Sequence, residues 1–236
     1  VCRLGRARHS GVDDGLVRVA NLSAERIASA ALRFESQPAL PYYVAMQVSD
    51  SRFSTTALSL QLNAVSAANL SSTLALRHIA FANYSDDSAE PYLVALRTQG
   101  APLHVNLSDN TFANGSIALA DAGFYIELAG PLHALMTRQS VDRDSLFVHA
   151  VDVAQMTLQH HVFGGNFESR AVFVERSNVS LTPTMALLIA HSRFENAHAD
   201  HEMLRLANIQ PADAIVLEHA HFVHAYVRVG FGAATG

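Results

Sequence analysis

The sequence contains no lysine, no tryptophan and one cysteine, and only 16% of its 236 residues are charged. The single cysteine, Cys2, cannot form an internal disulfide, so any partner it has lies outside this segment. No apolar run approaches the roughly 18 residues that a membrane span needs, so we expect no span within the segment. The sixteen basic residues are scattered arginines, and the net charge is −5. Without a basic stripe, nucleic acid is not an expected partner.

Half of the residues are hydrophobic, which is enough to bury a continuous core and argues against disorder. A string recurs in which two apolar residues alternate with others and an aromatic or apolar anchor follows five positions later. The clearest copies are Val105-Asn106-Leu107 before Phe112 and Leu187-Leu188-Ile189 before Phe194. The eight anchors, on average near 28 residues apart, are Ile27, Phe53, Phe81, Phe112, Val141, Phe163, Phe194 and Phe222.

A second alternating run follows almost every anchor, as in Ala171-Val172-Phe173-Val174 and Tyr226-Val227-Arg228-Val229. Each period therefore holds at least two short strands, and stacked periods bury their apolar side chains in continuous ladders. This predicts an all-β chain, a right-handed parallel β-helix of about eight coils of roughly 28 residues. The rival fold is the leucine-rich repeat, whose period overlaps, but the segment opposite the first strand lacks helical periodicity.

The repeat divides the chain into an irregular N-terminal edge at 1–16, a β-helix domain at 17–229 and a small-residue tail at 230–236. Two places after several anchors stand Asn83, Asn114 and Asn196, with Gly165 at the same place in another coil, and these residues tolerate left-handed backbone. We expect the sharp corner of the coil there. The chain begins without methionine, so a piece of a longer protein is expected, with the remainder of the parent chain as a neighbour and strand edges exposed at uncapped ends.

No residue of the sequence is predicted to be catalytic, and no cofactor is predicted. A carbohydrate-active β-helix enzyme would place carboxylates and a basic residue together over one sheet. The close acidic pairs are Asp13-Asp14, Asp86-Asp87 and Asp142-Arg143-Asp144, and all are expected in solvated loops or corners.

Histidine is abundant, with 13 residues. Three places before the anchor the chain reads Ala24, Asp50, His78, Asp109, Arg138, His160, His191 and His219. The last three, in successive coils about 5 Å apart, are candidate ligands for a transition metal. A polar corner column explains the same pattern without any metal, and this interpretation is preferred.

Asn-x-Ser/Thr occurs at six of the eleven asparagines, where chance would supply about 1.4. The six are Asn21, Asn69, Asn83, Asn106, Asn114 and Asn178. The excess indicates a secretory-pathway protein with an extracellular or cell-surface location. Three of the six also fall at repeat positions, so the fold's own preference for Asn and Ser contributes to the count.

The strings VSDSRF (48–53), LSDNTFAN (107–114) and IAHSRFEN (189–196) resemble coils of the pectin-lyase-like superfamily. They are most similar to its non-enzymatic surface members, the dispersed gene family surface glycoproteins of trypanosomes, and are similar in pattern to the polymorphic membrane proteins of chlamydiae. The trypanosome resemblance implies a large membrane-anchored surface protein with an adhesive role.

Three hypotheses follow from the sequence. The first is an extracellular adhesive module that binds host or matrix glycans or proteins, the second a carbohydrate-active enzyme fragment, and the third a structural spacer.

Overall fold

The computed structural model describes residues 13–21, 23–25, 30–35, 42–54, 57–63, 72–82, 94–99, 103–113, 123–130, 132–142, 145–165, 171–177, 184–196 and 201–232. Within these ranges the chain forms 24 β-strands and no helix. Every strand pairing is parallel, and from β1 to β21 each strand except β14 pairs with the strand three places later in the chain. The predicted parallel β-helix is confirmed.

The strands, numbered in chain order, form three columns along one axis. The first sheet contains β1 (Asp13–Ala20), β4 (Tyr42–Ser49), β7 (Ser72–Arg77), β10 (Leu103–Ser108), β13 (Leu132–Thr137), β16 (Gln155–Gln159), β19 (Ala186–Ala190) and β22 (Ala214–Glu218). The second column consists of β2 (Ser23–Glu25), β5 (Arg52–Ser54), β8 (Ala80–Ala82), β11 (Thr111–Ala113) and β14 (Ser140–Asp142), and of a separate sheet of β17 (Val162–Gly165), β20 (Arg193–Asn196) and β23 (His221–Val223).

The third sheet contains β3 (Ala30–Glu35), β6 (Ala57–Asn63), β9 (Val94–Gln99), β12 (Gly123–Ala129), β15 (Ser145–Val151), β18 (Val172–Glu175), β21 (His201–Ile209) and β24 (Ala225–Phe231). We call three successive strands, one from each column, a rung. Each rung therefore has three strands, one more than the two runs visible in the sequence, because the anchor occupies a short strand of its own.

The core is built from ladders of like residues. The anchors Phe53, Phe81, Phe163 and Phe194 are at most 1% exposed. The rings of Phe163 and Phe194 stack at 4.9 Å, and Phe222 continues the stack at 4.8 Å. Successive rungs therefore bury each apolar residue against its equivalent one rung away, which is the source of the fold's stability.

The predicted first anchor, Ile27, is wrong, because the anchor position of that rung lies three residues earlier, at Ala24. The pairing of β2 with β5 puts Ala24, rather than Ile27, opposite Phe53, and it puts Val17 and Val19 opposite the apolar pair of β4. Ile27 itself lies outside the described residues. Phe112 and Val141 hold the expected register beside Phe81.

The corner between the first sheet and the second column lies three places before the anchor in every rung. The backbone is left-handed there, with φ from 48° to 57°, at Asn21, Asp50, His78, Asp109, Arg138, His160, His191 and His219. Asn, Asp and His are the non-glycine residues most often found in this conformation, which explains the composition of the column. In seven successive corners the N–H donates to a carbonyl of the next rung at 2.9–3.3 Å.

The expectation of a left-handed corner two places after the anchor was wrong where the structure describes it. Gly165 and Asn196 end strands β17 and β20, and neither has positive φ. Asn83 and Asn114 lie outside the described residues.

Candidate functional surface

The histidine column is an exposed stack at the corner. The rings of His160 and His191 are 5.2 Å apart at their centroids with 6° between their planes, and His191 and His219 are 4.9 Å apart at 12°. The rung spacing sets these distances, since each ring belongs to the same position of a successive coil.

This geometry does not suit a single metal ion. Ligand nitrogens about 2.1 Å from one zinc ion lie within roughly 4 Å of one another, whereas parallel rings about 5 Å apart carry corresponding nitrogens at about that same separation. Among the residues that the structure describes, no group of three or more His, Cys, Asp or Glu side chains could hold a metal. The left-handed backbone accounts for these histidines without a ligand.

Side chains of neighbouring rungs pair with each other in the earlier part of the same column. Arg138 donates to Asp109 through Nε at 2.6 Å and through Nη2 at 2.9 Å, and His78 lies 3.5 Å from Asp50. The hydrogen bond from Arg138 lowers the pKa of the Asp109 carboxyl, and the same bond raises the pKa of the guanidinium. The column is thus a polar corner in which Asp109 and Arg138 neutralise each other along the axis.

A second polar feature runs along the outer face of the third sheet, and we call it the outer row. It consists of Arg97, Glu127, His149, Phe173, Glu175, Glu202, Arg205 and Arg228. Most of them alternate with buried residues such as Leu96, Val148 and Leu204, so their side chains point away from the core.

Each glutamate of the outer row has a cationic or ionisable partner. Arg97 donates to Glu127 at 2.5 Å, and His149 Nε2 lies 2.9 Å from Glu175. Glu202, which is mostly buried, lies 3.5 Å from Arg228. Each of these carboxylates therefore has a charged or hydrogen-bonding partner within the surface itself.

The aromatic member of the row is enclosed on both faces. Phe173 stacks on His149 at 5.0 Å with 2° between the rings, and the Arg205 guanidinium lies 5.5 Å from its centroid on the next rung. A sugar ring would need an open aromatic face for stacking, and the row's own neighbours occupy both faces of Phe173.

Sequence reasoning missed the outer row. Acidic residues close together in the sequence do not point to this row, because Glu127, His149 and Glu175 are 22 and 26 residues apart. The signal that would have found them is an ionisable residue at the outward position of the second alternating run in successive repeats.

A buried polar column lies just inside the corner, two places before the anchor. Asn110 Nδ2 donates to Gln139 Oε1 at 2.9 Å and Asn110 Oδ1 accepts from Ile79 N at 3.0 Å, while Gln139 Nε2 donates to Leu107 O at 2.9 Å. His161 occupies the next rung at 2% exposed.

The ring of His161 is held neutral. Its Nε2 lies 3.0 Å from the Met136 carbonyl, which can only accept, so the proton is on Nε2. Burial lowers the pKa of the His161 imidazole to about 4. His161 therefore works as a core hydrogen-bond donor and is inaccessible to a ligand.

The predicted acceptor asparagines differ in setting. Asn21 is exposed at a left-handed corner, where an oligosaccharyl group would meet solvent. Asn106 lies within β10, paired on both sides, and its Oδ1 is buried without a hydrogen-bond partner in the described part of the chain. Asn69, Asn83, Asn114 and Asn178 lie outside the described residues.

The acidic residues of these pairs that the structure describes, Asp13, Asp14 and Asp142, lie in different columns. Asp13-Asp14 begin β1 rather than lying in a loop, and Asp142 ends β14. Asp86-Asp87, Arg143 and Asp144 lie outside the described residues.

No helix in the described ranges is long and apolar enough to cross a membrane.

Comparison of the chain with protein-family models, with curated proteins and with solved structures finds no match.

Proposed function

We propose that this chain is a non-catalytic β-helix module of an extracellular or cell-surface protein, acting in adhesion or surface presentation. The observation that carries the proposal is the outer row, a polar surface along the axis whose glutamates are each paired. A general acid or base needs a carboxyl group free to exchange a proton with substrate. Paired charges on a rigid sheet suit recognition by many weak polar contacts instead.

The sequons and the sequence resemblance support the same proposal. The excess of Asn-x-Ser/Thr motifs favours passage through the secretory pathway, and the exposed Asn21 corner suits an acceptor. The resemblance to non-enzymatic pectin-lyase-like surface glycoproteins favours host or matrix glycans or proteins as partners.

A binding array tests this function. The whole chain, labelled at low density, is applied to arrays of glycans and matrix proteins and to intact cells. We expect saturable binding that a double substitution in the outer row, Arg205→Ala with Arg228→Ala, weakens at least ten-fold. Gln155→Ala on the first sheet is the matched control. No binding at micromolar concentration by any of these proteins would favour a structural spacer and refute the adhesive role.

The second candidate function is carbohydrate cleavage, because the outer row brings carboxylates and arginines together over one sheet. Glu127 and Glu175 would act as acid and base if a bound polysaccharide displaced their partners Arg97 and His149. Incubation with neutral and acidic polysaccharides, followed by measurement of new chain ends, distinguishes the two. Cleavage lost in Glu127→Gln and Glu175→Gln would establish an enzyme, and intact polymer favours the binding module.

A further inference from the structure

Histidine fills the same corner position in three successive rungs, at His160, His191 and His219. The left-handed backbone does not require histidine there, because Asn21 and Asp50 hold the same conformation in earlier rungs. Asn and Asp tolerate positive φ at least as well as histidine does. Three consecutive histidines therefore give the corner a property that its backbone does not select.

The three rings form a regular line along the axis. The planes of His160 and His191 differ by 6°, and those of His191 and His219 by 12°, so the rings lie one above another with a repeat of about 5 Å. The side chains of His160 and His191 are exposed. A protonated imidazole donates from both nitrogens and has no acceptor. When charged, the corner is a row of cationic donors, one on each rung.

The histidines decide the charge of this part of the surface. Of the two arginines nearby, Arg138 is paired with Asp109 at 2.6 Å, and Arg193 is paired with Glu195 at 2.8 Å. Glu218 lies 3.9 Å from the ring of His219. Two arginines and three carboxylates give a net charge of −1 while the histidines are neutral.

We call the stack and the exposed ionisable groups around it the histidine strip. Its members are Asp109, Arg138, His160, His191, Arg193, Glu195, Glu218, His219 and His221. Histidine is the side chain whose charge ordinarily changes between pH 8 and 5. Protonation of the four histidines of the strip changes its net charge from −1 to +3. The adjacent His161 does not take part, since burial lowers the pKa of its imidazole to about 4.

We propose that the histidine strip binds a linear sulfated polysaccharide in mildly acidic solution and releases it at neutral pH. Sulfate groups keep their charge at every pH at which the imidazoles are protonated, whereas carboxylates begin to lose theirs as the pH approaches about 4. Protonated rings about 5 Å apart repel one another, and a row of sulfate groups lying along the axis offsets this repulsion. Protonation and binding therefore favour each other.

The histidine strip is separate from the outer row. The strip lies at the corner between the first sheet and the second column, whereas the outer row lies on the third sheet. The proposal therefore goes beyond the adhesive role of the outer row and does not depend on it.

Binding of the whole chain to fluorescently labelled dextran sulfate tests the proposal. Affinity is measured at pH 7.5 and 5.5 at constant ionic strength, with uncharged dextran as the polymer control. We expect binding of dextran sulfate to be about ten-fold tighter at pH 5.5, because a surface of one charge sign concentrates a ligand of the other sign. Added salt should weaken the binding by screening.

Two double variants locate the effect. His160→Asn with His191→Asn removes two stacked rings, and asparagine suits the left-handed backbone, as Asn21 shows. His104→Asn with His133→Asn is the matched control, because these histidines also lie one rung apart, with ring centroids 4.7 Å apart, near the starts of their strands and away from the corner. We expect the first variant to lose most of the gain at pH 5.5 and the control to keep it.

A third variant separates this site from the outer row. Arg205→Ala with Arg228→Ala should keep the gain in affinity at pH 5.5, and circular dichroism at both pH values checks that every variant folds. Equal affinity of the native chain at the two pH values, or equal binding of uncharged dextran, would overturn the proposal. Equal losses in the two histidine variants, or loss of the gain in the outer-row variant, would also overturn it.

Discussion

Acid should destabilise the fold through one buried histidine. His161 is 2% exposed, and its neutral ring donates to the Met136 carbonyl at 3.0 Å. Protonation would put a charge among apolar neighbours such as Phe163, whose ring lies 5.4 Å away. The folded chain resists that protonation, while the unfolded chain does not.

The sign and size follow from the two pKa values. Burial lowers the pKa of His161 from 6.5 to about 4. Between these values the unfolded state binds more protons than the folded state, so the free energy of unfolding falls as pH falls. The full contribution is present above pH 6.5, and about 3 kcal/mol is lost by pH 4, from roughly 1.4 kcal/mol per pKa unit. The lowered pKa of Asp109 acts only at lower pH, below the ordinary carboxyl range.

The assay is urea unfolding followed by circular dichroism at pH 7, 5.5 and 4. His161→Gln is the informative variant, because Gln139 occupies the same column in a neighbouring rung and its Nε2 donates to Leu107 O and Thr137 O. We expect His161→Gln to lose about 3 kcal/mol less than the native chain between pH 6.5 and 4. His221→Gln, which removes an exposed histidine, is the control. Equal acid sensitivity of the native chain and His161→Gln would refute the reasoning.

The remaining predictions concern the corner, the core and the surface. His191→Val should lower the free energy of unfolding in urea by about 1–2 kcal/mol, because a β-branched residue is strained at a φ of 49°. His191→Asn should change the free energy of unfolding little. Similar values for both variants would contradict the left-handed backbone at this corner. Phe194→Ala should cost about 3–5 kcal/mol by opening a cavity in the ring stack, and a loss under 1 kcal/mol would argue against burial. Asp213→Ala should cost about 3–5 kcal/mol, since it leaves Arg176 buried without its carboxylate at 2.6 Å; a neutral result would show that the pair is not formed. Millimolar zinc should leave the melting temperature of the native chain unchanged. A rise in melting temperature that disappears when the stacked histidines are mutated would refute the argument that their geometry does not suit one metal ion.

The apolar period was enough to predict the parallel stack, because burial of like residues on like residues leaves few other arrangements for such a repeat. The apolar period predicted the wrong anchor in the first rung. The anchor there is the small residue Ala24, and the larger apolar residue Ile27 nearby fits the repeat pattern better. The corner was harder to place. Asn and Gly after the anchor suggested a left-handed turn, yet the turn needs only side chains that tolerate positive φ, and His160 and His191 meet that need.

The outer row could not be found by local spacing. Glu175 meets His149 only because the coil lengths bring two strands into register, and those lengths vary from repeat to repeat. The buried role of His161 was also invisible in the sequence, since it follows His160 directly and the corner sends one ring to solvent and the other into the core.

The central claim is that successive repeats lie one rung apart on a single axis, and spin-label distances test it most directly. Thr73 and Ala214 are exposed and occupy the same position of the first sheet, five rungs apart, and Ala186 lies one rung nearer. With labels placed in pairs in a Cys2→Ser background, the account predicts about 24 Å for Thr73 with Ala214 and about 19 Å for Thr73 with Ala186, from roughly 4.8 Å per rung. Distances that are equal, or that do not shorten by about one rung, would contradict the stack.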